Sequence, residues 1–395
     1  MHVGLLAQAA SGIFDSREIL RRANLRYAAA LTWLEVRLGR AQRDDALSRL
    51  LRCVPAIDRA MLFRTAGVRD LIDQLTSPAT DQMESSGADG LEDRYEELRR
   101  PFEQYERHVL RGSKGGTTAW TDAGFDFRAP VTGTYPFVVS AWVGYDMRSP
   151  PAGTWSEAEA VETLFRTHLA DGAGAEPCTL RPIPGELRDA LTDAVRRLES
   201  IDGTVARDLA LNLRHVGLID YGRWSEMAVD EYRDVARSCS SPVVPSSGFV
   251  SARLLTSPDQ AVEGLYHEAL HNKLSNFIHA GGILRDGCQG TDLPRFSPDW
   301  RRGAGWDSSR WAFDRALYAF HVYAHLALLY GAILESSSGP ARSRDWALAR
   351  RAVVIERARV LDDWLGESAS AMNSRGSELL VTLRELVRSA VARPV

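Results

Sequence analysis

The chain has 395 residues, enough to bury one large core or two domains. Its formal net charge is −4 with acidic and basic residues interspersed, and nothing in it suggests a nucleic-acid patch. Cys53, Cys178, Cys239 and Cys288 are scattered without a CxxC pair and read as reduced thiols of a cytoplasmic protein.

Met1 to Phe14 has no basic start and no long apolar core, a poor secretion signal. Ser16 to Leu75 carries amphipathic helical segments, among them Ala28-Leu31-Leu34-Leu38 and Met61-Val68-Leu71-Ile72-Leu75. Thr76 to Gly90 is polar and reads as a link, and Leu91 to Arg111 as a charged helix. After the Lys114-Gly115-Gly116 turn, Phe125 to Val143 is the best strand region. Trp120, Tyr135 and Trp142 are core aromatics or, alternatively, the lining of a peptide groove. Helices resume at Ser156 to Leu169 and Gly185 to Leu213. The expected fold is mainly α with a small β component, an α+β arrangement. The strong excess of Arg over Lys points to a GC-rich bacterial genome.

Ser257-Pro258-Asp259-Gln260 reads as a helix start, with Ser257 as N-cap, Pro258 at the first helical position and Gln260 as capping-box partner. The helix runs through Ala261, Val262, Leu265, Leu270, Leu274 and Ile278 to a stop at Gly281-Gly282. Within it lies His267-Glu268-Ala269-Leu270-His271, an HExxH pentad. Residues four apart share a helix face, so both imidazoles can reach one metal ion. Glu268 is close enough to act on a metal-bound water or to orient a ligand. The alternative is two surface or core histidines that share a spacing by accident.

Two histidines are an incomplete site, because zinc or iron needs at least one more protein ligand. A metzincin would carry Gly at position 274 and His at 277, where this chain has Leu274 and Phe277. No Glu occurs between Glu268 and Glu335, which counts against a peptidase with a downstream glutamate ligand. The next helix, from Asp314, offers His321 and His325 on an otherwise apolar background. Ala316 to Leu334 is apolar enough for a membrane span. Two mid-span histidines and a negative mean hydropathy favour a buried core helix packed on the HExxH helix, with the metal site between the two. His325 is the expected third ligand and His321 the alternative. His279 is rotated off the metal face and reads as structural.

These residues resemble the HEXXH-motif family found beside ribosomally made, modified peptides in bacteria. Its members are assigned as 2-oxoglutarate-dependent peptide β-hydroxylases of the αKG-HExxH type. The resemblance is carried by His267-Glu268-Ala269-Leu270-His271-Asn272-Lys273-Leu274, by Trp300, Arg301, Trp306 and Arg310, and by Tyr323-Ala324-His325-Leu326. Upstream, Ser246 to Leu255 resembles the strand-like segment the family places before its metal helix. The likeness spans roughly Val243 to Leu334. It implies a catalytic region over 113–395 with its core at 243–334, and an amino-terminal helical region over 1–112 that could capture a leader peptide.

The resemblance implies Fe(II), 2-oxoglutarate and O2 as reactants at an iron held on one face, with a peptide substrate and its precursor as partners and no membrane. A three-histidine face departs from the usual two His and one carboxylate and would leave the metal more positive. Glu268 would then orient ligands or handle protons. The far carboxylate of 2-oxoglutarate needs a cation. Arg310, just before the His325 helix, leads, with Arg253 on the preceding strand as runner-up. Lys273 is one of only two lysines, with Lys114, among 48 basic residues. It suits a ligand role or a salt bridge that fixes the helix. Two other functions stay open: a zinc peptidase with Glu268 as general base and His325 or Glu335 as third ligand, and a non-catalytic peptide- or partner-binding protein.

Overall fold

A computed structural model describes residues 2–37, 72, 164–167, 179–181, 185–213, 215–220, 238–242, 244, 246–288, 290–301, 310–336 and 341–392. The expected link at Thr76 to Gly90, the Leu91 to Arg111 helix, the Phe125 to Val143 strand region and the boundary at 112/113 lie outside the described residues, as does Trp306.

The fold is mainly helical with one small sheet. Its strands are β1 (Thr179–Arg181), β2 (His215–Asp220), β3 (Ser238–Cys239) and β4 (Ser247–Ser251), in the order β1-β2-β4-β3. The central pair β2 and β4 is parallel, with Val216 opposite Gly248 and Leu218 opposite Val250, and both outer strands are antiparallel. β4 is buried on both faces, as a central parallel strand must be. Phe249 meets Phe165 on one face, ring centroids 4.7 Å apart. Gly248 faces the HExxH helix on the other. A Cβ at Gly248 would stand 2.9 Å from Glu268 Cβ and 2.8 Å from Leu213 Cδ1, so only glycine admits this approach.

The main helices are α1 (His2–Ala9), α2 (Ser16–Arg37), α3 (Gly185–Ile201), α4 (Gly203–Asn212), α5 (Pro258–His279), α6 (Phe313–Glu335), α7 (Ala341–Glu367) and α8 (Ser374–Ala392). The Gly185 to Leu213 stretch divides because Asp202 caps α4, accepting hydrogen bonds from the backbone N–H groups of Thr204 and Val205 at 2.7 and 3.2 Å. α5 begins with Pro258 at its first turn as expected, but the Ser257 hydroxyl makes no capping bond. It ends where Gly282, at φ 69°, donates to the Ile278 carbonyl.

α5 and α6 are the inner helices. α5 packs against α2, α3, α4, α6 and β4, and α6 against α1, α5, α7 and α8. α6 is long and apolar enough to cross a membrane, yet 89% of its apolar window is buried inside the protein. It is the core helix the sequence pattern favours.

The described amino-terminal residues belong to this same core. Leu6, Ala9, Phe14 and Ile19 are buried in one cluster with residues of α4, α5 and α6. A buried polar chain reinforces the join. Lys273 Nζ lies 2.8 Å from Asp208 Oδ2, Ser16 donates its hydroxyl to Asp208 Oδ1, and Asn212 donates to Ser16 Oγ at 2.7 Å. Residues 2–37 are therefore structural partners of the HExxH helix, whatever else the 1–112 region does.

Candidate metal centre

On α5, the side chains of His267 and His271 emerge one turn apart. Their Nε2 atoms are 3.0 Å from each other, with ring centroids 4.7 Å apart. Both line a cavity of about 480 Å³. One wall is α5, the second is the start of α6, and the third is the edge strand β3 with the residues after it.

Burial pushes the His267 imidazole down to about 4, helped by the Arg350 charge. His271 is driven well below its ordinary value by burial, by His267 and by Arg315. Both rings are neutral at pH 7, the form that ligates metals. At 3.0 Å apart, the two nitrogens are close enough to bind one ion. The pair therefore fits two positions of one ion. Among the described residues, no group of three or more His, Cys, Asp or Glu side chains is placed to hold a metal.

Glu268 is 1% exposed and contributes to the cavity wall. Its Oε1 is 4.0 Å from His267 Nε2. Burial pushes its carboxyl up to about 7. The nearby Ser238 and Ser240 hydroxyls pull the other way, although neither reaches hydrogen-bond geometry with it. Asn272 fixes the local backbone by donating to the carbonyls of Ser247 and Glu268, both at 3.0 Å, which ties α5 to β4 beside the pair.

The expected third ligand is not at the pair. His325 is fully buried, with Nδ1 2.8 Å from the His321 carbonyl oxygen and Nε2 3.3 Å from that of Ala9. His321 is equally buried against His325 and Phe14, at ring distances of 4.4 and 5.2 Å. Neither lines the cavity. The cause is helix phase. Tyr318 and Val322 face the pair, and a residue three positions on is turned by about 60°. His321 and His325 thus point to α1. His279, at the end of α5, lies beside Tyr27 with ring centroids 6.3 Å apart, consistent with a structural role.

The three expected cosubstrate cations are also elsewhere. Arg310 is exposed and outside the cavity. Arg253 sits in the 3-10 turn Ala252–Thr256 that follows β4, also outside it. Lys273 is 1% exposed on the far side of α5, in its ion pair with Asp208. Among the described residues, the cation on the cavity wall is Arg315, whose guanidinium lies over the Trp311 ring, 5.2 Å from its centroid. A search confined to the loop and strand arginines passes over it. Its helical spacing from Tyr318 and Val322 is the signal that would find it.

Tyr318 completes this wall. Its hydroxyl is 2.8 Å from Ser275 Oγ, and its ring centroid is 5.6 Å from that of His271. Burial pushes the phenol up to about 12, so it keeps its proton. A comparison of the chain with known protein-family models finds no match, and neither does a comparison with curated proteins.

Proposed function

We propose that this protein is an Fe(II)- and 2-oxoglutarate-dependent oxygenase that hydroxylates the β-carbon of a residue in a peptide substrate. The observation that carries the reading is the convergence of two neutral imidazoles, Nε2 to Nε2 at 3.0 Å, on a cavity whose wall includes a guanidinium. The reaction class comes from the resemblance of the HExxH and YAHL segments to αKG-HExxH hydroxylases. Iron and 2-oxoglutarate, when bound, would supply dioxygen activation coupled to decarboxylation.

The chain's own residues hold and orient. His267 and His271 hold the metal, and Asn272 keeps their helix seated on β4. Glu268 and Asp314 are the carboxylates on the described cavity wall, and Glu268, beside His267 but not grouped with the pair as a ligand, orients ligands or handles protons. Arg315 takes the far carboxylate of 2-oxoglutarate through paired charge-assisted hydrogen bonds, steadied by Trp311. Trp311 and Val322 form apolar parts of the wall that limit water. The substrate class, a precursor peptide in a bacterial cytoplasm, rests on the resemblance.

The test is an anaerobic titration of the metal-free protein with Fe(II) and 2-oxoglutarate, followed by visible absorbance. A weak charge-transfer band that needs both components, and succinate formation in air, are expected. A protein that retains zinc and neither binds nor converts 2-oxoglutarate rules the reading out.

One observation favours a second reading. A buried carboxyl pushed up to about 7 beside a histidine pair suits the general base of a zinc peptidase. That reading requires time-dependent peptide cleavage that disappears in Glu268→Gln.

A further inference from the structure

We infer that the Ser275–Tyr318 hydroxyl pair is a hydrogen-bond donor of the cavity, offering one O–H to a carboxylate or carbonyl oxygen of a small molecule chelated at the histidine pair. The inference rests on His267 and His271 holding a metal, and is independent of which reaction follows.

Ser275 stands four residues after His271, which stands four after His267, so the three lie on one stripe of α5. All three line the cavity. Tyr318 reaches across from α6 and lays its ring beside His271. The two hydroxyls share a single hydrogen bond of 2.8 Å. Two hydroxyls bring two protons, and one bond uses one of them. A serine inside a helix ordinarily spends its proton on the carbonyl four residues back. Ser275 is engaged by Tyr318 instead, and it is 7% exposed while Tyr318 is half-buried on the cavity wall. Either hydroxyl can keep the remaining proton, Ser275 one helical turn from His271 or Tyr318 with its ring beside it. An oxygen atom of a metal-bound chelate is the acceptor that this position would serve. Hydroxyls also complement Arg315 on the same wall: the guanidinium supplies charge, and the pair supplies a neutral, directional donor.

The experiment uses the full chain loaded with Co(II), whose visible spectrum reports ligation, titrated with acetohydroxamate as a chelate that binds through two oxygens. Tyr318→Phe is expected to weaken hydroxamate by about 3–10-fold, the range of one neutral hydrogen bond, with Co(II) affinity unchanged. Ser275→Ala should lose a similar amount. The double variant should lose no more than the larger single loss, because the pair acts as a unit. Hydroxamate affinity in Tyr318→Phe equal to that of the parent overturns the inference. If Tyr318→Phe melts early, Ser275→Ala carries the same comparison. A parent protein that takes up no Co(II) overturns the inference together with the metal site. A protein that binds Co(II) and hydroxamate but forms no succinate with iron refutes the oxygenase reading alone, and the Tyr318→Phe comparison still decides this one.

Discussion

The two sides of α5 place their polar groups in different settings. On the side toward α1, α2 and α4, Lys273, Asp208, Ser16 and Asn212 are joined in one buried chain of hydrogen bonds and an ion pair. On the cavity side, Glu268 is just as buried, yet its carboxylate oxygens have no hydrogen-bond partner among the described residues, and the two imidazoles lean on each other. Satisfied buried groups hold a helix in place. Unsatisfied ones cost stability and persist where a ligand completes them. The Lys273 side has open atoms too, Asn212 Oδ1, Tyr266 Oη and the His321 ring nitrogens among them, so what sets the His267 face apart is the cavity into which its groups open.

The largest expected effect lies on the structural side. Lys273→Met leaves Asp208 charged and buried, and should cost about 3–5 kcal/mol in chemical denaturation. Adding Asp208→Leu should recover most of the loss. A loss below about 1 kcal/mol for the single variant would erase the contrast between the two faces.

Next comes the contrast between histidines. His271→Ala should reduce metal affinity by more than about 100-fold while the fold persists. His325→Ala should leave metal affinity within a few-fold and lower the melting temperature, because it leaves a hole beside Phe14 and frees the Ala9 carbonyl. Loss of metal in His325→Ala would restore it as a ligand.

Acid offers an intermediate test on the metal-free protein. His267 and His325 hold their protons only near 4 in the folded state, and His271 and His321 only well below 6.5, against about 6.5 unfolded. The unfolded chain therefore binds more protons across that window, so stability falls as pH drops from 6.5 toward 4. Glu268 opposes this, taking its proton near 7 when folded against about 4.5 unfolded, which stabilises the folded state as pH falls between those values. Four histidines outweigh one carboxyl, so urea midpoints should fall between pH 7 and pH 5, and fall more steeply in Glu268→Gln. A flat profile would contradict the burial of His321 and His325, the two fully enclosed rings.

The smallest effect separates two arginines. Arg315→Met should weaken 2-oxoglutarate by about 10-fold, within the range of a charge-assisted hydrogen bond, while Arg310→Met should leave it unchanged. The reverse result would return the anchor to the loop before α6.

Much of the frame was legible in the residues. Pro258 and the Gly281-Gly282 pair bracket α5 where punctuation of that kind should, and the apolar run after Asp314 is the inner helix it promised to be. Lys273, singled out by scarcity, is in the salt bridge that was one of its two readings. His325 and Arg310, the expected third ligand and anchor, lie away from the histidine pair. His321 and His325 share a face with each other, but spacing within one helix says nothing about how that helix is rotated against its neighbour.

The sequence by itself determined which residues share a helix face, where α5 begins and ends, and that α6 would be buried, because these follow from 3.6-residue periodicity, backbone chemistry and the cost of exposing apolar surface. Only the tertiary structure decided that Tyr318 and Arg315, not His325 and Arg310, face the histidine pair. That choice depends on how side chains of α1, α5 and α6 interlock, and on Gly248 letting β4 approach Glu268, none of which is written in a single helix.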